Sequence, residues 1–136
     1  MTHLRGRKPP ISSDSNALTK APAPPKHLSP YARAEWKRIM PGLIEREIIT
    51  RGDLGGVEDY CRARGLVREI EDTLRTSGEI DMKLCRLQDK AMQTARQLAA
   101  EYGLSPVSRA RVGSAAADDD GDDVNPLMIG RNRTHA

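Results

Sequence analysis

Phenylalanine is absent from these 136 residues, and the aromatic share is only 3%, carried by Tyr31, Trp36, Tyr60 and Tyr102. Such a chain builds a modest aliphatic core and leaves long stretches unpacked. Cysteine is nearly absent. Cys61 and Cys85 stand far apart, with no C-x-x-C pair, so they are expected to be reduced thiols in a cytosol-like compartment. No run approaches about 18 consecutive apolar residues, so no transmembrane helix is expected. The N-terminus lacks an apolar segment, so no secretory signal is expected.

Catalytic patterns are missing too. No glycine precedes Lys-Ser or Lys-Thr, which excludes a phosphate-cradling P-loop. The histidines are His3, His27 and His135, all in or beside the ends, and none has a zinc-like partner spacing. The Asp118–Asp123 run resembles a calcium loop only in composition. With Gly121 at loop position 6, Ala116 and Leu127 fall where Asp and Glu are required. Glu69 and Asp72 sit among arginines at helix-surface spacing, which ion pairing explains without acid–base chemistry. Neither cysteine has an activating partner in the sequence. No catalytic residue, metal ligand or cofactor is therefore expected, and the chain reads as a non-enzyme.

Charge is present but uneven. The total is +3. Residues 1–40 hold eight basic and two acidic side chains, residues 41–112 hold twelve of each, and residues 113–136 hold two basic and five acidic. A basic front and an acidic rear point to different partners. Residues 1–27 carry five of the nine prolines and no apolar period, so they read as a disordered arm. Residues 113–136 read as a disordered tail, because five aspartates in six residues cannot nucleate a core.

Residues 28–112 carry helical periodicity. Ser29-Pro30 is an N-cap followed by the favoured first-turn proline. Ala32, Trp36, Ile39, Met40 and Leu43 then recur on one face, with Pro41 expected to kink or tighten the last turn. Thr50-Arg51-Gly52-Asp53 has capping-box form. A second helix follows with Tyr60, Ala63, Val67, Ile70 and Leu74 in its stripe, and Ser77-Gly78 ends it. Leu84, Leu87, Ala91, Ala95, Leu98 and Tyr102 mark a third, stopped by Gly103. Ser105-Pro106 opens a short fourth helix to about Val112. The expected fold is all-α: a kinked first helix, a long antiparallel hairpin and a short C-terminal helix, flanked by disordered tails. The hairpin stripes are narrow and rich in alanine. At about 25 cal/mol per Å² a lone hairpin of this kind gains little. It is expected to pack on helix one, on copies of itself, or on both, through Tyr60, Val67, Ile70, Leu74, Leu84, Leu87 and Leu98.

The basic front suits nucleic acid. Arg5-Gly6-Arg7-Lys8-Pro9 is similar to an AT-hook core, in which glycine lets the backbone approach a narrow minor groove and arginines meet its negative potential. Generic phosphate attraction accounts for the same residues. Lys20 and Lys26 extend the basic arm. Arg33, Lys37 and Arg38 fall on the polar side of helix one. Stacking on single strands is disfavoured, because the aromatics occupy core-like or cap-adjacent positions.

Taken in order, these landmarks resemble the small terminase subunits of tailed bacteriophages. The resemblance runs through Arg5–Pro9, Ala21–Lys26, His27-Leu28-Ser29-Pro30, Ala34-Glu35-Trp36, Pro41-x-Leu43, Ile49-Thr50-x-x-Asp53, Tyr60-Cys61 and Tyr102–Val112. Glu47-Ile48-Ile49 departs from the small or glycine-containing turn of that pattern, and the link over 77–84 is short. The resemblance implies a ring-forming, non-enzymatic component of the packaging motor in the bacterial host cytoplasm. It implies three partners: double-stranded viral DNA, further copies of the chain, and a large ATPase and nuclease subunit. Leu127, Met128 and Ile129, an apolar patch behind the aspartates, are the expected docking peptide for that subunit. The competing reading is a transcription regulator in which helix one, the Glu45–Thr50 turn and helix two form a helix-turn-helix.

Overall fold

The computed structural model describes residues 16–111. These residues are helical, with no strand among them. In order they form α1 (Pro30–Glu45), a short 3₁₀ turn (Arg51–Asp53), α2 (Leu54–Ser77) and α3 (Met82–Glu101), followed by a helical turn over 106–111.

The helix ends follow local chemistry. The Ser29 hydroxyl accepts a bond from the Ala32 amide, and Pro30 occupies the first turn. Pro41 lies inside α1, yet the helix continues through it to Glu45. The chain then reverses at Glu47, which adopts φ 55°. Glycine is the usual residue for that left-handed geometry, and the turn expected over Glu45–Thr50 forms with Glu47 in its place. The Asp53 carboxylate accepts from the Thr50 amide at 2.9 Å and from its hydroxyl at 3.0 Å. The capping box thus closes the 3₁₀ turn, and α2 begins directly after it.

Gly78, at φ 66°, ends α2. Only three further residues separate it from α3, and the Asp81 carboxylate caps α3 by accepting from the amides of Lys83 and Leu84. At the far end Leu104 donates its amide to the Ala99 carbonyl at 2.8 Å across Gly103, closing a Schellman turn. Ser105 and Ser108 cap the last turn reciprocally, with the Ser105 amide donating to the Ser108 hydroxyl at 3.0 Å.

α2 is the middle layer, with α1 and α3 both packed on it. Its pairing with α3 is antiparallel. Near its start, Gly56 lies under the Tyr102 ring from the end of α3. Further along, the Gln88 amide donates to the Val67 carbonyl at 3.0 Å. The core sits where α1 crosses the open end of this hairpin, with Trp36, Met40, Leu43, Ile49, Val57 and Cys61 in one cluster.

Burial fades toward the hairpin tip. Tyr60, Val67 and Ile70 are buried, as their stripe predicts. Near the tip Leu74 and Leu84 are half-buried and Leu87 keeps 45% of its surface exposed; Leu98, at the open end, is half-buried but packs against the core. Within one subunit, then, the second half of the expected packing stripe is only partly covered. The physical reason is that α1 crosses α2 near Gly65 and leaves its last turns bare.

The compositional boundary at residue 27 does not mark where packing begins. The Leu18 amide donates to the Ile49 carbonyl at 2.7 Å, and Leu18 packs against the core. Segment 16–27 is therefore laid along the bundle, although its prolines and lack of period read as a disordered arm.

Candidate nucleic-acid interface

Segment 16–27 and the first turns of α1 place the candidate DNA-binding cations. Besides the Leu18–Ile49 bond, three contacts hold the segment down. The Trp36 indole donates to the Pro22 carbonyl at 2.9 Å. The Arg33 guanidinium donates to the Lys26 carbonyl. The His27 ring meets the Glu58 carboxylate on α2. Trp36 is thus a buried anchor and not a base-stacking platform, with 2% of its surface exposed.

The expected cations divide by what they already touch. Lys20, Lys26 and Lys37 are exposed, and no ion pair engages them among the described residues. Arg33 is half-buried and committed to the backbone of residue 26. Arg38 forms a two-pronged pair with Glu35, at 2.9 Å for its Nε donor. The Tyr60 hydroxyl donates to the same carboxylate at 2.9 Å. Arg5, Arg7 and Lys8 lie outside the described residues, as do Leu127, Met128 and Ile129.

The Glu35 cluster has clear electrostatics. Burial alone would raise the Glu35 carboxyl, but the hydrogen bonds from Arg38 and Tyr60 outweigh it and hold the group below its ordinary value. Burial, reinforced by the bond to Glu35, pushes the Tyr60 phenol up to about 12. Burial likewise pushes the Cys61 thiol up to about 12, with the Glu35 charge adding to it. Cys61 is therefore held as a neutral thiol, the opposite of what a nucleophile requires. Among the described residues no group of His, Cys, Asp and Glu is placed to hold a metal ion. No helix there is long and apolar enough to cross a membrane.

One feature escaped the sequence entirely. A solvent-open groove of about 480 Å³ runs between His27–Ser29, just ahead of α1, and the faces of α2 and α3. Leu28, Leu66, Leu87 and Ala91 line it, with Arg62 and Lys90 at its rim. Its walls come from three separate stretches of chain, and no local spacing announces such a meeting.

The described residues thus define an all-α core with a basic leading segment and no evident catalytic constellation. A family model described as phage terminase, small subunit, matches residues 32–119. That is more than half of the chain, which belongs to the phage terminase small subunit family. The match begins inside α1, so the arm motifs at 5–9 and 21–26 lie before it. No curated protein and no solved structure matches the chain.

Proposed function

We propose that the protein is the DNA-recognising component of a phage packaging motor. It forms a homo-oligomeric ring in the host cytoplasm, binds double-stranded viral DNA, and hands it to the large subunit, which carries the ATPase and nuclease. It performs no catalysis itself. The observation that carries this reading is the family match over residues 32–119.

Three features of the chain support the division of labour. The basic front supplies phosphate contacts through Arg5, Arg7, Lys8, Lys20, Lys26 and Lys37, with Arg33 and Arg38 lending charge from α1. The thinly covered hairpin residues Leu74, Leu84 and Leu87 supply subunit contacts. Leu127, Met128 and Ile129 supply the docking peptide for the large subunit, on an acidic tether.

The test is light scattering of the full chain with and without duplex DNA, followed by addition of the large subunit. A closed oligomer that binds DNA and stimulates the large-subunit ATPase is the expected result. A dimer that binds DNA and leaves that ATPase unchanged would favour the regulatory helix-turn-helix reading instead.

A further inference from the structure

We infer that the hairpin tip of one subunit docks in the groove beside α2 and α3 of a second copy of this chain. The inference rests on the oligomeric reading above and names the two surfaces that meet.

The tip reads Glu79-Ile80-Asp81-Met82. Ile80 is 84% exposed and Met82 58% exposed, so each presents apolar surface that its own subunit does not cover. The groove, at about 480 Å³, lies within the size range that accepts a small apolar group. Its lining is largely aliphatic, from Leu28, Leu66, Leu87 and Ala91. Leu87 on the groove wall is itself 45% exposed. Apolar surface left bare on both sides gains free energy when the two meet.

Charge selects the same pairing. Glu79 and Asp81 flank Ile80, with Asp81 also capping α3 and the exposed Lys83 following Met82. Arg62 and Lys90 stand at the groove rim, exposed and without an ion pair among the described residues. His27, also at the rim, is already engaged by Glu58, and Glu69 is the single acidic lining residue. An acidic apolar tip thus faces a basic apolar socket, which fixes orientation as well as contact.

The geometry makes the contact head-to-tail. Met82 and Ala91 are nine residues apart on one helix, roughly 14 Å at about 1.5 Å per residue. A tip therefore cannot fold into its own groove. Each contact uses different surfaces on the two subunits and leaves one tip and one groove free, so association continues and closes into a ring where the rotation between neighbours returns to the start.

The experiment mixes two variants of the full chain, each defective on one side. Ile80→Asp disables the tip and keeps the groove; Leu87→Asp disables the groove and keeps the tip. Each alone should weaken association at least tenfold and run near monomer mass by light scattering, with wild-type helicity by circular dichroism. Mixed, they should form a one-to-one dimer that grows no further. A charge exchange gives a second route: Glu79→Lys and Lys90→Glu should each weaken assembly, and the two together in one chain should restore it. An Ile80→Asp protein that keeps the wild-type mass overturns the docking inference while leaving the ring intact. So does a mixture of folded variants that stays monomeric. A monomeric wild type overturns the ring reading itself.

Discussion

Gly65 of α2 lies directly against Ala32 of α1: a Cβ on Gly65 would stand 2.9 Å from the Ala32 amide nitrogen and 3.1 Å from its Cβ. The obstruction is backbone, which cannot swing aside. Gly65→Ala should therefore force α1 outward from the crossing. Alanine gains about 1 kcal/mol in helix propensity, but overpacking of this kind costs about 1–3 kcal/mol. A net loss near 1 kcal/mol is expected, read as a lowered urea midpoint with unchanged slope. An unchanged or raised midpoint would mean that the crossing has slack.

Stability should respond to pH through the Glu35–Tyr60 pair. Glu35 sits below its ordinary value of 4.5 in the folded chain, so its contribution is complete above that pH and is lost as the pH falls through the lower folded value. Tyr60 is raised from 10.0 to about 12, so its contribution is complete below pH 10 and is lost as the pH rises toward 12. Glu35→Gln should flatten the acid limb of the stability profile, and Tyr60→Phe the alkaline one. If the variants differ from wild type equally at all pH values, the pair acts by packing alone.

Glu47→Gly should not destabilise the protein, unlike most glycine substitutions. A left-handed conformation costs a side-chain-bearing residue roughly 1–2 kcal/mol, which offsets the extra chain entropy that glycine brings to the unfolded state. The expected outcome is a melting temperature equal to or a few degrees above wild type. A clear drop would show that the Glu47 side chain contributes a contact of its own.

The legible parts of the fold were those written in local spacing. Ser29-Pro30, Ser77-Gly78 and the 3-4 stripes located three helices almost to the residue, because caps and periodicity act within a few positions. The illegible parts depend on distant chain. Residues 16–27 look formless because their order comes from Trp36 and Ile49, not from each other. Leu87 fits its stripe as well as Ile70 does, yet α1 does not reach it. Arg38 reads as a free cation until its guanidinium is seen bound to the Glu35 carboxylate, which the Tyr60 hydroxyl also engages. The groove, assembled from residues 27–29, α2 and α3, has no sequence signature at all.

Where the arm is cut should matter. Deleting residues 1–15 removes Arg5, Arg7 and Lys8 while sparing the contacts of Leu18 and Pro22. If those cations touch phosphate, the slope of log affinity against log salt should fall by about 0.9 for each lost contact, with the fold intact. Deleting residues 1–27 should in addition lower thermal stability, because it strips the acceptor from the Trp36 indole and uncovers the core at Leu18. Equal melting temperatures for the two truncations would mean that segment 16–27 adds nothing to the core.

Deleting residues 124–136 while keeping Asp118–Asp123 should leave assembly and DNA binding unchanged. If Leu127, Met128 and Ile129 are the docking peptide, stimulation of the large-subunit ATPase should drop. Full stimulation by the truncated protein would exclude them as the docking peptide.

The bond from the Trp36 indole to the Pro22 carbonyl also makes the molecule self-reporting. Trp36 is the only tryptophan in the chain, and it is buried beneath the one segment that joins the basic front to the helical core. Its emission carries a single optical signal, blue while the segment is seated and red once water replaces the Pro22 carbonyl. Release of residues 16–27 from the core, whatever its cause, should therefore be readable in real time without attaching a dye.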